Sequence, residues 1–322
     1  MLGSLPYKTK QFFIAIIKLS IIVGASYYIY NRLLKNNNLN FTEFTSFLIK
    51  NNVFSAKNIF FLLILSVFNW FFEVLKWKNL VETIKKISFF EALEQSLGGL
   101  TASLITPNRI GDYGAKAIYF AKQYRKRVVL LNLIANVNQM AVTTIIGIIG
   151  LILFYNNYDL ELKFYKASRL VLIIIAVGVF TAFGLQQSRF KIKGFSIERI
   201  IDFVKHLPQR IHTTTFILSV IRYAIFSFQF YFLLQIFGVN IDYKTAMIAI
   251  SSMYFLSSIV PSLAVFDVLI KTSAAVFLFS YLGIDELTIL SISTLMWLLN
   301  FVLPSIFGSY FVLNFRLPKV QD

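Results

Sequence analysis

Residues 89–121 read FFEALEQSLGGLTASLITPNRIGDYGAKAIYFA, and this run does not fit an ordinary membrane span. Pro107 interrupts it, because proline lacks an N–H and clashes with the preceding helical turn. Gly98, Gly99, Gly111 and Gly114 loosen it further. A helix from Asn108 to Ala121 would be about 21 Å long at 1.5 Å per residue, short of a bilayer core of about 30 Å. Basic clusters bound the run on both sides, Lys85 and Lys86 before it and Lys122, Arg125, Lys126 and Arg127 after it. The chain therefore enters and leaves on the same side, and the spacing predicts a re-entrant hairpin with its tip near Pro107.

The surrounding sequence has the composition of a membrane protein. Of 322 residues, 57% are hydrophobic and only 14% charged, with a mean hydropathy of +0.70. Soluble domains carry about a quarter charged residues. Six apolar stretches are long enough to cross a bilayer: 11–30, 58–75, 128–154, 168–186, 212–237 and 288–313. None alternates as β-barrel strands do. The first follows Lys8 and Lys10, as a signal peptide would, but Tyr27, Tyr28 and Tyr30 stand where a small-residue cleavage site belongs. It reads as a retained span. The expected fold class is an all-α integral membrane protein forming a single membrane domain over 1–322.

The net charge of +16 does not indicate nucleic acid, because the charges sit in short loops between apolar blocks. That distribution follows the positive-inside rule. Loop 76–88 carries Lys76, Lys78, Lys85 and Lys86, and loop 187–211 carries Arg189, Lys191, Lys193, Arg199, Lys205 and Arg210. With loop 122–127 and the tail holding Arg316 and Lys319, these are assigned to the cytoplasm. Loops 155–167 and 283–287 balance or lack basic residues and are assigned outside. Loop 31–57 is basic and is placed outside only because its neighbours require it. The expected location is the inner (cytoplasmic) membrane, multi-pass, with both termini cytoplasmic. The sequence contains no cysteine, so single cysteines report topology cleanly. Cysteines at positions 85, 125 and 193 should resist an impermeant thiol reagent in intact cells, and those at 157 and 285 should react. Labelling at 125 with 85 still protected would overturn the hairpin reading.

A second broken segment occupies 243–282, interrupted by Pro261. By the loop charges it enters and leaves from outside. Each half then reads span, span, hairpin, span, over 11–154 and 168–313. Three spans per half turn the second copy upside down, giving an inverted repeat with two oppositely oriented hairpins. Such repeats with broken helices characterise transporters that bind substrate near the midplane.

Charges beyond each proline supply the candidate substrate-binding residues. Asp112 and Lys116 stand four apart, as do Asp267 and Lys271, a spacing that puts each pair on one helix face. The bland reading is mutual neutralisation. Arg109 has no counterpart in the second copy, where Leu263 stands. A guanidinium beside backbone N–H groups freed by a break suits a phosphate, which it bonds bidentately. Pro107, Gly111 and Pro261 are expected to shape the breaks. Glu73 and Lys76, beside Trp70 and Trp77, read as an interfacial anchor, and Glu91 and Glu94 as interfacial. Segment 187–210 reads as an amphipathic surface helix. His206 and His212 read as loop histidines; no metal or cofactor is expected.

The string Thr106-Pro107-Asn108-Arg109-Ile110-Gly111-Asp112, preceded by Gly99 and followed by a second segment containing Pro261, resembles the lysylphosphatidylglycerol synthase/flippase transmembrane family over most of the chain. The resemblance implies a lipid-handling membrane protein with Pro107, Arg109, Gly111 and Asp112 in its polar site. Without a stretch for a soluble aminoacyl-transferase domain, the chain is expected to be a standalone membrane-domain member. It departs from the family at Ala264-Val265-Phe266-Asp267, where a glycine-rich run with a glutamate would be expected. The leading expectation is a transporter or flippase rather than an enzyme. Its substrate would be a phospholipid or lipid-linked amphiphile whose anionic headgroup sits between the hairpins. The alternatives are an intramembrane transferase using Asp112 or Asp267 as base, and a non-catalytic subunit of a membrane complex.

Overall fold

The computed structural model describes residues 41–50, 55–104, 106, 110–158, 191–192, 195–259 and 267–315. The described elements are α1 (Phe41–Lys50), α2 (Ala56–Val81), α3 (Phe89–Ser103), α4 (Ile110–Ile118), α5 (Arg125–Asn157), a two-residue ribbon β1 (Lys191–Ile192) and β2 (Phe195–Ser196), α6 (Ile197–Lys205), α7 (Gln209–Ile236), α8 (Tyr243–Ile259), α9 (Asp267–Ser280), α10 (Glu286–Trp297), a π-helical turn (Leu298–Val302) and α11 (Leu303–Asn314). Among the described residues, four helices are long and apolar enough to cross a membrane: Ala56–Val81, Arg125–Asn157, Gln209–Ile236 and Glu286–Asn314. They coincide with four of the six expected spans. The expected spans 11–30 and 168–186, and the breaks at Pro107 and Pro261, lie outside the described residues.

Helix ends follow local chemistry. Ser88 and Glu91 form a capping box at the start of α3, with Glu91 N–H donating to Ser88 Oγ at 3.1 Å and Ser88 N–H to Glu91 Oε2 at 2.6 Å, satisfying two otherwise orphaned amides. Asp285 caps α10 through the Thr288 amide at 3.1 Å. Asp242 accepts from the Thr245 amide at 2.9 Å, and this bond holds its carboxyl below the usual carboxylate range. After α7 and α9 the chain turns through Gly238 (φ 74°) and Gly283 (φ 69°). Val239 N–H then bonds Leu234 C=O, and Ile284 N–H bonds Phe279 C=O, the six-to-one closure that a left-handed residue permits.

The two broken segments pack reciprocally. Within each, the short helices touch, α3 on α4 and α8 on α9. In addition, α3 lies against α11 and α8 against α5, while α2 packs on α7. Small residues make these crossings close. Gly308 on α11 leaves no room for a Cβ against the Leu97 carbonyl and Thr101 Oγ1 of α3. Gly147 and Gly150 on α5 likewise face Phe255 and Ser251 of α8. Without a hydrophobic drive between helices in lipid, such close backbone approach is what gains dispersion energy.

Apolar side chains gather in two clusters. One joins Val74, Trp77, Leu80 and Val81 of α2 to Val128, Leu131 and Ile134 of α5, with Phe203 and Leu207 packed against it. The other joins Leu62 of α2, Val142 and Phe154 of α5, Phe230 and Leu234 of α7, and Ile250 and Met253 of α8.

The structure corrects one reading. Glu73, Lys76 and Trp77 are not exposed anchors, because they are buried within the helix bundle on α2, which continues to Val81. Trp77 is fully buried and Lys76 only 1% exposed. Lys76 and Lys78 belong to the helix, not to the following loop.

Candidate functional site

Three glycines and a threonine bring the first charged pair into the bundle. The Gly111 N–H donates to Thr106 Oγ1 at 2.8 Å, and its bare Cα lies against the Ala102 carbonyl. Gly99 leaves room for Asp112 and Lys116, which a Cβ there would strike, while Gly98 faces the Tyr119 hydroxyl. The pair therefore lies against the α3 backbone. Lys116 Nζ stands 3.1 Å from Asp112 Oδ1 and donates to Asn132 Oδ1 at 2.9 Å. Asn132 Nδ2 returns a bond to Asp112 Oδ2 at 2.7 Å, closing a triangle between α4 and α5. The ammonium also sits 4.6 Å from the Trp77 ring centroid, a cation–π contact strengthened by exclusion of water. Trp77 Nε1 donates to Gln95 Oε1 at 2.8 Å.

A second set of charges meets one turn away on α2. Glu73 Oε2 forms ion pairs with Lys76 Nζ at 2.7 Å and Arg222 Nη1 at 2.9 Å. Arg222 Nε donates to Asn69 Oδ1 at 3.0 Å. Arg222 Nη1 and Lys76 Nζ both reach Gln139 Oε1 at 3.4 Å. The guanidinium carbon lies 5.9 Å from the Trp70 ring. Arg222 stands 13 residues from Gln209 and 14 from Ile236, so it is about 20 Å from either end of α7 at 1.5 Å per residue.

From Asn69 the network runs on through neutral amides. Asn69 Nδ2 donates to Asn300 Oδ1 at 2.8 Å, and Asn300 Nδ2 to Gln229 Oε1 at 2.8 Å. Gln229 Nε2 donates to Ser66 Oγ at 2.8 Å and to the Leu62 carbonyl at 3.1 Å. Asn300 lies in the π-helical turn. An α-helical bond onto its carbonyl would come from residue 304, which is proline and has no N–H. That freed carbonyl accepts Trp70 Nε1 at 3.1 Å.

The charges in this belt do not cancel. Among the described residues, Lys76, Lys116 and Arg222 face two carboxylates, Glu73 and Asp112, an excess of one positive charge. Removing an ion from water costs several kcal/mol even after relaxation, which explains why each cation here has a carboxylate. The three cations differ in access: Lys76 keeps 1% of its side chain exposed, Lys116 4% and Arg222 23%.

Of the residues expected from sequence, Asp112, Lys116 and Gly111 come together as described. Lys271 lies one turn into α9 on the second broken segment, and the Asp267 side chain lies outside the described residues. So do Pro107, Arg109 and Pro261. Sequence reasoning missed Arg222, Asn132, Gln139, Gln229 and Asn300. Their signal was available: each is a strongly polar residue inside an apolar stretch, where such residues mark function or pairing.

A family model for the Lysylphosphatidylglycerol synthase TM region matches residues 15–308. No curated protein matches the chain.

Proposed function

This chain belongs to the lysylphosphatidylglycerol synthase transmembrane-region family, and from that premise we propose that it moves an anionic lipid or lipid-linked amphiphile between leaflets. The observation that carries this reading is the polar belt buried inside the helix bundle, where three cations face two carboxylates among the described residues and Arg222 stands midway along the candidate span α7. A bundle that needed only to span lipid would gain nothing from charges at that depth, each costing at least about 2.5–3.5 kcal/mol. A pathway for an ionic headgroup needs them. The acyl chains stay in lipid while the headgroup crosses between the two broken segments, over Arg109, Asp112 and Lys116 from the first and Asp267 and Lys271 from the second. The reciprocal packing of α3 on α11 and α8 on α5 supports an inverted repeat of 11–154 and 168–313, with the broken segments as oppositely oriented re-entrant hairpins. The loop charges favour an inner-membrane location with both termini cytoplasmic.

The test is transbilayer movement of phosphatidylglycerol in proteoliposomes, with lipid affinity measured alongside. Arg109→Lys keeps the charge but loses the bidentate fork. It should insert normally and lose roughly tenfold in lipid affinity, the equivalent of one charge-assisted hydrogen bond of about 1.5 kcal/mol. Arg109→Ala should lose more, because charge and fork are both gone. Unchanged affinity in both variants would sink the anion-site reading and favour a subunit role in a membrane complex.

A further inference from the structure

We infer that Arg222 and Lys76 form a second anion-binding seat, separate from the hairpin charges, and that the Glu73 carboxylate fills it in this structure as an internal stand-in for a phosphate group. The inference rests on the reading of this chain as a carrier of anionic headgroups and assigns that headgroup a second resting place.

Glu73 is a poor permanent partner for two cations. Both ion pairs fall on one oxygen, Oε2, at 2.7 and 2.9 Å. The nearest approach of Arg222 to it is through Nη1, and no hydrogen bond of the parallel two-bond kind that guanidinium favours joins the two among the described residues. Among the described residues, Nε is taken by Asn69 and no hydrogen bond is made by Nη2. The remaining contacts of both cations to Gln139 are long, at 3.4 Å. A phosphate offers several oxygens, enough to take Nη1 and Nη2 together and Lys76 besides. Arg222 is also the most accessible of the belt's three cations, with 23% of its side chain exposed, and the Trp70 ring backs it. An arriving anion can reach the guanidinium without first opening the fully buried Lys76.

Glu73 and a bound phosphate therefore compete for the same donors. Two ligands sharing one seat are negatively coupled, and couplings between sites in proteins commonly span about 5–150-fold in affinity. Loading the seat pushes Glu73 off it, and the return of Glu73 helps expel the anion, which keeps a carrier from being trapped by its own cargo.

The experiment measures binding of phosphatidylglycerol and of inorganic phosphate to purified protein in zwitterionic phosphatidylcholine nanodiscs. Glu73→Gln should raise anion affinity at least about fivefold while slowing transbilayer movement of the lipid. Gain for phosphatidylglycerol alone identifies a lipid headgroup as the occupant; gain for inorganic phosphate identifies a free anion. Arg222→Lys should abolish the gain when combined with Glu73→Gln. If Glu73→Gln alone folds poorly because two cations lose their counter-ion, Glu73→Asp keeps the belt's charge while drawing the carboxylate back by one methylene, and should still bind the anion more tightly than wild type. Equal or weaker anion binding in both Glu73 variants overturns the seat. Tighter phosphate binding without any lipid movement by wild-type protein would keep the seat and refute the carrier reading. Normal lipid movement with no effect of Glu73 or Arg222 would do the reverse.

Discussion

Replacing Lys116 with methionine should cost the folded protein about 3–5 kcal/mol, the usual penalty for breaking a buried ion pair from one side. Lys116 is 3% exposed. Its loss leaves the Asp112 carboxylate facing only the Asn132 amide at 2.7 Å, a neutral donor that cannot balance a buried charge. The Trp77 ring also loses the cation at 4.6 Å. Removing the charge from both partners, as Asp112→Asn with Lys116→Met, should be milder than the sum of the single changes, with a coupling of about 0.5–3 kcal/mol. The measurement is thermal unfolding of the four proteins in one detergent, with monodisperse yield as a check. Additive losses would mean that the 3.1 Å contact carries no energy and that each residue acts elsewhere.

That pair was legible in the sequence because an Asp and a Lys four apart must share a helix face, wherever the helix lies. The four described spans were legible for a similar reason: length and hydropathy are properties of contiguous sequence. The partners of the charges were not. Arg222 sits in the stretch 212–237, where one cation barely lowers the average of its apolar neighbours. Its meeting with Glu73 joins residues 149 apart, which no local pattern fixes. The anchor reading failed on burial. Tryptophans at the end of a span usually face the interface, but Trp77 is fully buried and Lys76 only 1% exposed, which packing against other helices decides and local sequence does not. The role of Pro304 was readable in principle, since a proline always frees the carbonyl four residues earlier. What receives it, Trp70 from another helix, was not.

Asn300→Leu should destabilise the protein by about 1–3 kcal/mol for each polar group it orphans, and it orphans two at once. Asn69 Nδ2 loses its acceptor and Gln229 Oε1 its donor, both inside the bundle where no solvent replaces them. Asn69 is 2% exposed and Gln229 fully buried. Asn300→Asp separates this effect from simple loss of polarity. An aspartate still accepts from Asn69 but has no N–H for Gln229. Turning the Gln229 amide over to donate would place its oxygen against the Leu62 carbonyl, which now accepts from Nε2 at 3.1 Å. Aspartate should therefore fail at least as badly as leucine, because its added negative charge inside the bundle carries a cost of its own. Pro304→Ala tests the backbone half of the same joint. With an N–H restored at 304, the Asn300 carbonyl regains an α-helical partner and the π-helical turn loses its cause. Trp70 Nε1 then competes for that carbonyl instead of owning it. The expected result is unchanged or higher thermal stability together with slower lipid movement, because a π-helical turn within a span is a natural place for it to flex. Unchanged lipid movement in Pro304→Ala would mean that the turn only accommodates Asn300 and plays no part in transport.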